Sequence, residues 1–445
     1  MPQTFDLLLR RGTVVNHDGV GRRDIGVRGG RIVALGTFAE TDAGTTIDCT
    51  GLHILPGVID TQVHFREPGA THKEDLESGS LAAVMGGVTA VFEMPNTNPL
   101  TVTAEALADK VARATARMHC DFAFFVGGTH ANAVDVGELE RLPGAAGIKI
   151  FMGSSTGDLL VGDDAGLRSI LENVRRRVSV HSEDEPRLRE RLAERVPGDP
   201  SSHPVWRDIT AALRATTRLL RIARDTGARV HVLHISTAEE MELLRNEKDL
   251  ATVEVTPQHL TLDATQYHTI GTRLQMNPPV RDVRHRDRLW QAVADGTADI
   301  LGSDHAPHTL AEKAKPYPES PSGMPGVQTL VPVMLHHVAA GRLSIERFVD
   351  MTSHGPSRLF QISGKGRVAA GYDADFTVVD LKRRVVITDA MMKSRSDWTP
   401  YDGMTVTGWP VGTIIRGRRV MWEGELTTPA NGAAVRFLEA LPRRS

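Results

Sequence analysis

The feature that most constrains this fold is an alternation of apolar, strand-like runs with amphipathic, helix-like segments across the middle of the chain. Helix-like stretches such as EALADKVARATARM and HRDRLWQAVADG separate the apolar runs. Eight runs have the character of strands: ILPGVIDTQVHF, VTAVFEMP, DFAFFVGG, GIKIFMG, RVSVHSED, RVHVLHIS, ATVEVTPQHL and ADILGSDHAP. Parallel strands joined by crossover helices give this pattern, and eight such strands close a barrel. The sequence therefore predicts an α/β fold with a (β/α)8 TIM-like barrel over residues 55–364.

An open, doubly wound α/β sheet is the structural alternative. That fold carries a glycine-rich phosphate-binding turn directly after its first strand. Here the first strand, IDTQVHF, is followed by REPG. The barrel is therefore the favoured interpretation.

The two ends of the chain differ from its middle. Near the N-terminus, DLLLRRGTVV and RDIGVRGGRIVALG read as short strands joined by turns, with Gly29 and Gly30 marking a tight hairpin. Near the C-terminus, GRVAAGYDADFTVVDL and GTIIRGRRVMWEGEL alternate apolar and polar residues in the same way. We expect residues 1–54 and 365–445 to form one small β-sandwich domain together.

Composition excludes several classes of function. Hydrophobic residues make up 40% of the chain and charged residues 24%, with a formal net charge of -3, so no basic surface for nucleic acid is indicated. The two cysteines, Cys49 and Cys120, have neither disulfide-framework nor zinc-binding spacing. No signal sequence and no uncharged stretch of membrane-spanning length is evident. These observations predict a cytoplasmic protein with a small-molecule substrate and no membrane partner.

Polar side chains cluster at the carboxyl ends of the predicted strands, where barrel active sites lie. An isolated histidine is most often a core or surface residue, but here three follow matching strand ends. The residues concerned are Gln62, His64, Lys149, His181, His234 and Asp304. Imidazoles and a carboxylate suit Zn²⁺, and an open coordination position makes such a site catalytic.

Lys149, in the run GIKIFMG, is unusual among these residues. Burial would lower its pKa and make the neutral amine available. A neutral amine reacts with CO₂ to give a carbamate, an anionic oxygen ligand that is able to bridge two metals. The alternative interpretation is a lysine whose ammonium reaches solvent at the strand end.

Seven motifs occur in order along nearly the whole chain: DTQVHFREPGATHKED, EMPNTNP, KIFMGSSTG, HSEDE, LHIST, MNPPVRD and SDHAPHT. They resemble the cyclic amidohydrolases of the amidohydrolase superfamily, and most of all the dihydroorotases. The segment GRVAAGYDADFTVVDL is similar to the one by which the C-terminus in that family joins the N-terminal strands.

The resemblance implies a two-metal site. His64 and Asp304 would hold the first metal, His181 and His234 the second, and carboxylated Lys149 would bridge them. The family has a histidine where this chain has Gln62, and an amide oxygen is a weaker zinc ligand than imidazole. We therefore predict one tightly held zinc, and a weaker or empty first position.

The resemblance also implies a site for a substrate carboxylate, formed by Arg66, Asn96 and His308. A guanidinium binds a carboxylate through two parallel hydrogen bonds, which agrees with this role. The alternatives are a solvated charge for Arg66, turn chemistry for Asn96 and a supporting role behind the metal for His308. Asn277 is either a turn residue or part of the substrate pocket.

The function implied is reversible hydrolysis of dihydroorotate to N-carbamoyl-aspartate, with Asp304 accepting a proton from the attacking water and passing it to the leaving nitrogen. A hydantoinase or allantoinase is one alternative. A catalytically silent homologue that associates with aspartate carbamoyltransferase is another. We also expect a homo-oligomer, and GTRLQMNPPVRD is a candidate lid by its position.

Overall fold

The structure, a computed structural model, describes residues 4–153 and 159–438. It contains a barrel of parallel strands and a smaller β-domain of two sheets, which confirms the predicted α/β architecture. Residues 154–157 of the KIFMGSSTG motif lie outside the described residues, as do residues 1–3 and 439–445 of the predicted β-domain.

The barrel consists of eight parallel strands that are hydrogen-bonded in chain order. They are β8 (Val58–Val63), β9 (Val88–Glu93), β10 (Asp121–Gly127), β11 (Ala145–Phe151), β12 (Val178–His181), β13 (Val230–Val232), β14 (Ala251–Val255) and β15 (Ile300–Leu301). A parallel bridge between Val63 and His305 joins the first strand to the last, and the His64 N–H donates to the His305 carbonyl at 2.7 Å. Nearly every strand residue is buried, as expected where helices cover the outside and side chains fill the inside.

Helices follow the strands and cover the barrel. Asp208, for example, caps helix α7 through its side chain, and Gly227 ends it in the left-handed conformation at φ 70°. Among the helices in the described residues, none is both long and apolar enough to cross a membrane. The helix bounds are α1 (Leu76–Met85), α2 (Ala104–Ala114), α3 (Val136–Leu139), α4 (Asp164–Asn173), α5 (Glu185–Glu190), α6 (His203–Trp206), α7 (Ile209–Thr226), α8 (Ala238–Leu244), α9 (Pro257–Thr261), α10 (Tyr267–Ile270), α11 (Val283–Asp295), α12 (Leu310–Lys313), α13 (Leu330–Ala339), α14 (Ile345–Val349) and α15 (Gly355–Phe360).

The smaller domain is a sandwich whose strands come from both ends of the chain, as predicted. One sheet has the order β5-β4-β1-β6, and the other has the order β19-β18-β17-β16-β7-β2-β3. Apolar side chains of both sheets, such as Leu9, Ile25 and Phe376, share one core. The strands are β1 (Phe5–Arg10), β2 (Thr13–Asn16), β3 (Gly19–Arg22), β4 (Asp24–Arg28), β5 (Arg31–Gly36), β6 (Ala43–Asp48), β7 (His53–Pro56), β16 (Phe376–Val386), β17 (Thr405–Ile415), β18 (Arg418–Trp422) and β19 (Glu425–Leu426).

The run ILPGVIDTQVHF, which we predicted as one strand, is divided at Gly57. Its first part forms β7, which pairs with β16 in the sandwich, and its second part forms β8 in the barrel. A Cβ at Gly57 would lie 2.2 Å from Thr89 Oγ1, so only glycine allows this close approach. The domain boundary predicted between residues 54 and 55 therefore falls inside a sandwich strand.

The C-terminal tail, residues 430–438, leaves the sandwich and returns to the barrel. Ala434 bridges Phe122 in parallel fashion near the start of β10, and the Val435 N–H donates to the Phe122 carbonyl at 2.8 Å. The Phe437 ring packs against Phe92 with centroids 5.6 Å apart. The tail thus closes the amino-terminal end of the barrel, opposite the predicted active site.

Candidate active site

A cavity of about 120 Å³ opens at the carboxyl ends of the barrel strands. Phe151, Ala306, Ser322 and Gly323 contribute to its wall. The structure also brings most of the predicted site residues to this cavity: Gln62, His64, Arg66, Asn96, Lys149, His181, His234, Asn277 and Asp304. His308 is the predicted site residue that does not line the cavity.

His181 and His234, at the ends of β12 and β13, face each other across the cavity floor. His181 Nδ1 lies 3.1 Å from His234 Nε2, and His181 Nε2 lies 2.8 Å from Glu183 Oε2. Arg207 Nε donates to Glu183 Oε1 at 3.1 Å, and although burial opposes it, this cation keeps the pKa of Glu183 below its ordinary value. Ionised Glu183 accepts the His181 Nε2 proton, which leaves the Nδ1 lone pair directed at His234.

Lys149 projects from the end of β11 and is only 1% exposed. Burial lowers its pKa to about 7, although Asp304 and Glu254 act in the opposite direction. Its Nζ lies 4.5 Å from the centre of the Phe151 ring. A large fraction of this amine is therefore neutral near pH 7, as carbamate formation requires.

Gln62, His64 and Asp304 meet on the opposite side of the cavity. Gln62 Nε2 donates to Asp304 Oδ1 at 3.0 Å, and His64 Nε2 lies 3.2 Å from the same oxygen. His64 Nδ1 lies 2.8 Å from Asn96 Oδ1, which accepts its proton. His64 Nε2 and Asp304 Oδ1 are then two acceptors in contact, an arrangement that a cation between them would stabilise.

Three of these residues have a strained backbone. Arg66, His234 and Asp304 have φ values of 65°, 38° and 47°, in the left-handed region that non-glycine residues seldom adopt. Such strain persists only where the surrounding structure imposes it, and it concentrates at functional sites. Gly323 lines the cavity at φ 137°, where a Cβ would lie 2.5 Å from the Ala306 carbonyl oxygen.

Arg66 places a half-buried cation in the cavity wall. Its Nε donates to the Pro307 carbonyl at 3.2 Å. Burial lowers the pKa of Arg66 to about 10, so the guanidinium stays protonated at neutral pH. Within residues 4–153 and 159–438, no carboxylate forms an ion pair with it.

His308 does not line the cavity, but it contacts two residues that do, Arg66 and Ser322. Its Nε2 is 3.0 Å from the Ser322 carbonyl oxygen and 3.4 Å from Arg66 Nη2. Its Nδ1 is 3.1 Å from Lys73 Nζ. In this structure His308 contacts Arg66 directly, while its predicted contact with a substrate carboxylate stays a prediction.

Asn277 lines the cavity from the candidate lid segment, residues 271–282. His203 Nε2 donates to its Oδ1 at 2.9 Å. Leu274 and Met276 of the same segment are buried in one cluster with Trp398. The segment thus forms part of the cavity wall, and its movement stays a prediction.

The donor set fits a divalent metal by its chemistry. Burial lowers the pKa values of His64, His181 and His234, so these imidazoles are neutral and able to coordinate. Gln62 Oε1 and His234 Nδ1 are buried and have no hydrogen-bond partner among the described residues. No group of three His, Cys, Asp or Glu side chains in the described part of the chain is already arranged around one point.

This protein combines a barrel of parallel strands with imidazoles, a lysine and a carboxylate at the strand ends. That combination is typical of metal-dependent hydrolases. The chain belongs to the Amidohydrolase family, whose profile matches residues 53–420. This family is generally metal-dependent.

Named relatives are similar over almost their whole length. The dihydroorotase of Halobacterium salinarum is 38% identical over 93% of this chain and 96% of its own. The L-hydantoinase of Paenarthrobacter aurescens is 31% identical over 95% of this chain and 96% of its own. The solved structure of L-hydantoinase (dihydropyrimidinase) from Arthrobacter aurescens superposes with a TM-score of 0.93 at 30% identity, covering 97% of this chain and 99% of that one.

Two residues that the structure brings to the site are not indicated as site residues by the sequence. Glu183 fixes His181, and its signal was a second polar residue two positions after the histidine in HSEDE. Lys73 contacts His308 from a separate loop. That lysine stands in the motif HKED, but nothing in the spacing indicates its partner.

Proposed function

We propose that this protein is a dihydroorotase, which hydrolyses the ring amide of dihydroorotate reversibly to N-carbamoyl-aspartate. The dihydroorotases of Halobacterium salinarum and Methanothermobacter thermautotrophicus, 38% and 35% identical, support this assignment. The site supports it as well, because it combines metal-ligand chemistry with a half-buried cation in one cavity.

The unpaired guanidinium of Arg66 is the observation that carries the proposal. A half-buried cation that lines a cavity and has no carboxylate partner among the described residues indicates an anionic ligand. Dihydroorotate bears a carboxylate on its ring, and Asn96 lies in the same cavity to contribute a further hydrogen bond. A hydantoin without a carboxylate would leave Arg66 unpaired.

We propose that Lys149, His181 and His234 hold one zinc tightly, with Lys149 carboxylated, and that His64 and Asp304 form a weaker second position. A bound metal would polarise the scissile carbonyl and increase the acidity of water. The Gln62 amide supports the asymmetry, since it donates to the Asp304 oxygen that a metal would use.

Asp304 is the proposed proton carrier. It accepts a proton from the attacking water and donates it to the leaving ring nitrogen, and the reverse transfers serve ring closure. Arg66 and Asn96 orient the ring through its carboxylate. The surrounding structure that imposes positive φ values on Arg66 and Asp304 also holds these groups in place relative to each other.

Hydantoinase activity is the second candidate. The similarity to L-hydantoinase, with a TM-score of 0.93, favours it. The two candidates differ in their dependence on Arg66, because the guanidinium contributes only when the ring bears an anionic group.

The test compares hydrolysis of dihydroorotate and hydantoin, with zinc supplied, by the unaltered protein and by Arg66→Ala. We expect Arg66→Ala to lower kcat/KM for dihydroorotate at least about 100-fold and to leave hydantoin turnover nearly unchanged. Arg383→Ala, at an exposed ion pair with Glu423, is the matched control. Equal losses on both rings would contradict the role of Arg66, and zinc binding without turnover of either would favour the silent homologue.

A further inference from the structure

Lys73 lies behind the proposed carboxylate site, in the loop between β8 and α1. Its Nζ is 3.1 Å from His308 Nδ1 and 2.9 Å from Glu312 Oε1. Glu312 is itself fixed, because its Oε2 accepts the Thr309 N–H at 3.0 Å. The Lys73 side chain is only 18% exposed, so its ammonium is mostly shielded from solvent and is held by these two contacts.

The contacts of His308 with Lys73 and with the Ser322 carbonyl together decide which ring nitrogen carries the proton. A lysine ammonium has donors only, so His308 Nδ1 must accept. Burial and the nearby cations Arg66 and Lys73 lower the pKa of His308, which keeps the ring neutral. The single ring proton is therefore on Nε2, where the Ser322 carbonyl oxygen accepts it at 3.0 Å.

This tautomer determines whether Arg66 donates a hydrogen bond to His308. With Nε2 protonated, the 3.4 Å approach of Arg66 Nη2 joins two donors and forms no hydrogen bond. In the other tautomer Nε2 would accept from Arg66 and satisfy a guanidinium donor internally. Arg66 would then have fewer donors left for a ligand.

We propose that Lys73 is a positioning residue for carboxylate recognition. Together with the Ser322 carbonyl it holds His308 as the Nε2–H tautomer, which keeps the Arg66 guanidinium free for the carboxylate of the substrate. This inference rests on the proposed dihydroorotase function for its consequence, but the tautomer itself is measurable without turnover.

The experiment uses two substitutions of similar length. Lys73→Met removes both the charge and the donor, whereas Lys73→Gln removes the charge and keeps an N–H donor. The tautomer is measured from the ¹⁵N shifts of His308 in protein labelled at histidine, with His308→Asn used to identify the signals. KM and kcat are measured for dihydroorotate and for hydantoin.

In the unaltered protein and in Lys73→Gln we expect the Nε2–H form and similar KM values for dihydroorotate. In Lys73→Met we expect a mixture of tautomers and a KM about tenfold higher at nearly constant kcat, with hydantoin unaffected. Retention of the pure Nε2–H form in Lys73→Met would overturn the inference, as would an unchanged KM or an equal loss in both variants. Absence of turnover in the unaltered protein would count against the proposed function alone, since the ¹⁵N shifts would still decide the role of Lys73.

Discussion

We proposed that this protein holds one zinc tightly, and on that proposal replacing Gln62 with histidine should give a protein that holds two. Gln62 is 1% exposed and faces the cavity between His64 and Asp304. Its amide currently donates to Asp304 Oδ1 at 3.0 Å. The substitution exchanges this donor for an imidazole, whose lone pair is able to coordinate a metal.

The size of the effect follows from the hydrogen bond that a metal must displace. A hydrogen bond to a charged acceptor contributes about 1.5–3 kcal/mol, and each 1.4 kcal/mol is a factor of ten in affinity. Loss of the competing amide should therefore strengthen the second zinc site about 10- to 100-fold. Gln62→Ala should show only this increase in zinc affinity, because it removes the amide and adds no ligand. Gln62→His should give a larger increase, because it also adds an imidazole ligand.

The assay is zinc content per chain after dialysis against a series of buffered free zinc concentrations. In the unaltered protein we expect two binding steps at widely different free zinc concentrations. In Gln62→His we expect the two steps at much closer concentrations. Two equally tight equivalents in the unaltered protein would refute the reasoning. The reasoning would also be refuted if the second binding step occurred at the same free zinc concentration in Gln62→His, in Gln62→Ala and in the unaltered protein.

Three further predictions concern other parts of the molecule. Burial raises the pKa of Glu140 from 4.5 to about 7, so the native state binds more protons than the unfolded state between these values; stability should fall by up to about 3 kcal/mol as the pH rises through this window. Glu140→Gln should remove this contribution to the pH dependence of stability in unfolding measurements from pH 4 to 8, while Asp60, Glu93 and Glu254, whose pKa values burial also raises, still contribute; an unchanged pH dependence would contradict the assignment. The buried Lys365 ammonium donates to Asp121 at 2.7 Å and also to Asp375. Lys365→Met should lower the free energy of unfolding by about 3–5 kcal/mol and Tm by about 3–5 °C for a chain of this length, because it leaves both carboxylates without their cation. The exposed control Lys382→Met should leave Tm unchanged. Lys149→Met should remove most of the tightly held zinc, and a metal content equal to that of the unaltered protein would exclude Lys149 as a ligand.

The barrel could be predicted because its signals are local and repeated. Each strand is a short apolar run, and each predicted ligand stands at the end of its own run, as Lys149 does in GIKIFMG. Parallel strands bring those ends to one rim, so a shared cavity follows from topology without knowledge of any contact. The sandwich was predictable for a similar reason, since both ends of the chain show the same alternation.

The remaining features depend on contacts between distant residues. Lys73 and His308 are 235 positions apart, and no pattern in either segment indicates their pairing. The division at Gly57 depends on Thr89, which approaches from another strand. The hydrogen bond from Gln62 to Asp304 likewise arises only once the barrel has closed, so the amide could be recognised as an anomaly but not as a competitor for the metal.

The tail that covers the base of the barrel has a consequence for biosynthesis. Residues 432–437 pair with β10 and pack against Phe92, yet they leave the ribosome after every other segment of the barrel. Domains generally fold as units during synthesis, from the N-terminus onward. In this protein Phe360 packs on Phe92 from a helix made earlier, whereas the part of the base that the tail covers stays exposed until translation has almost reached the end of the described chain.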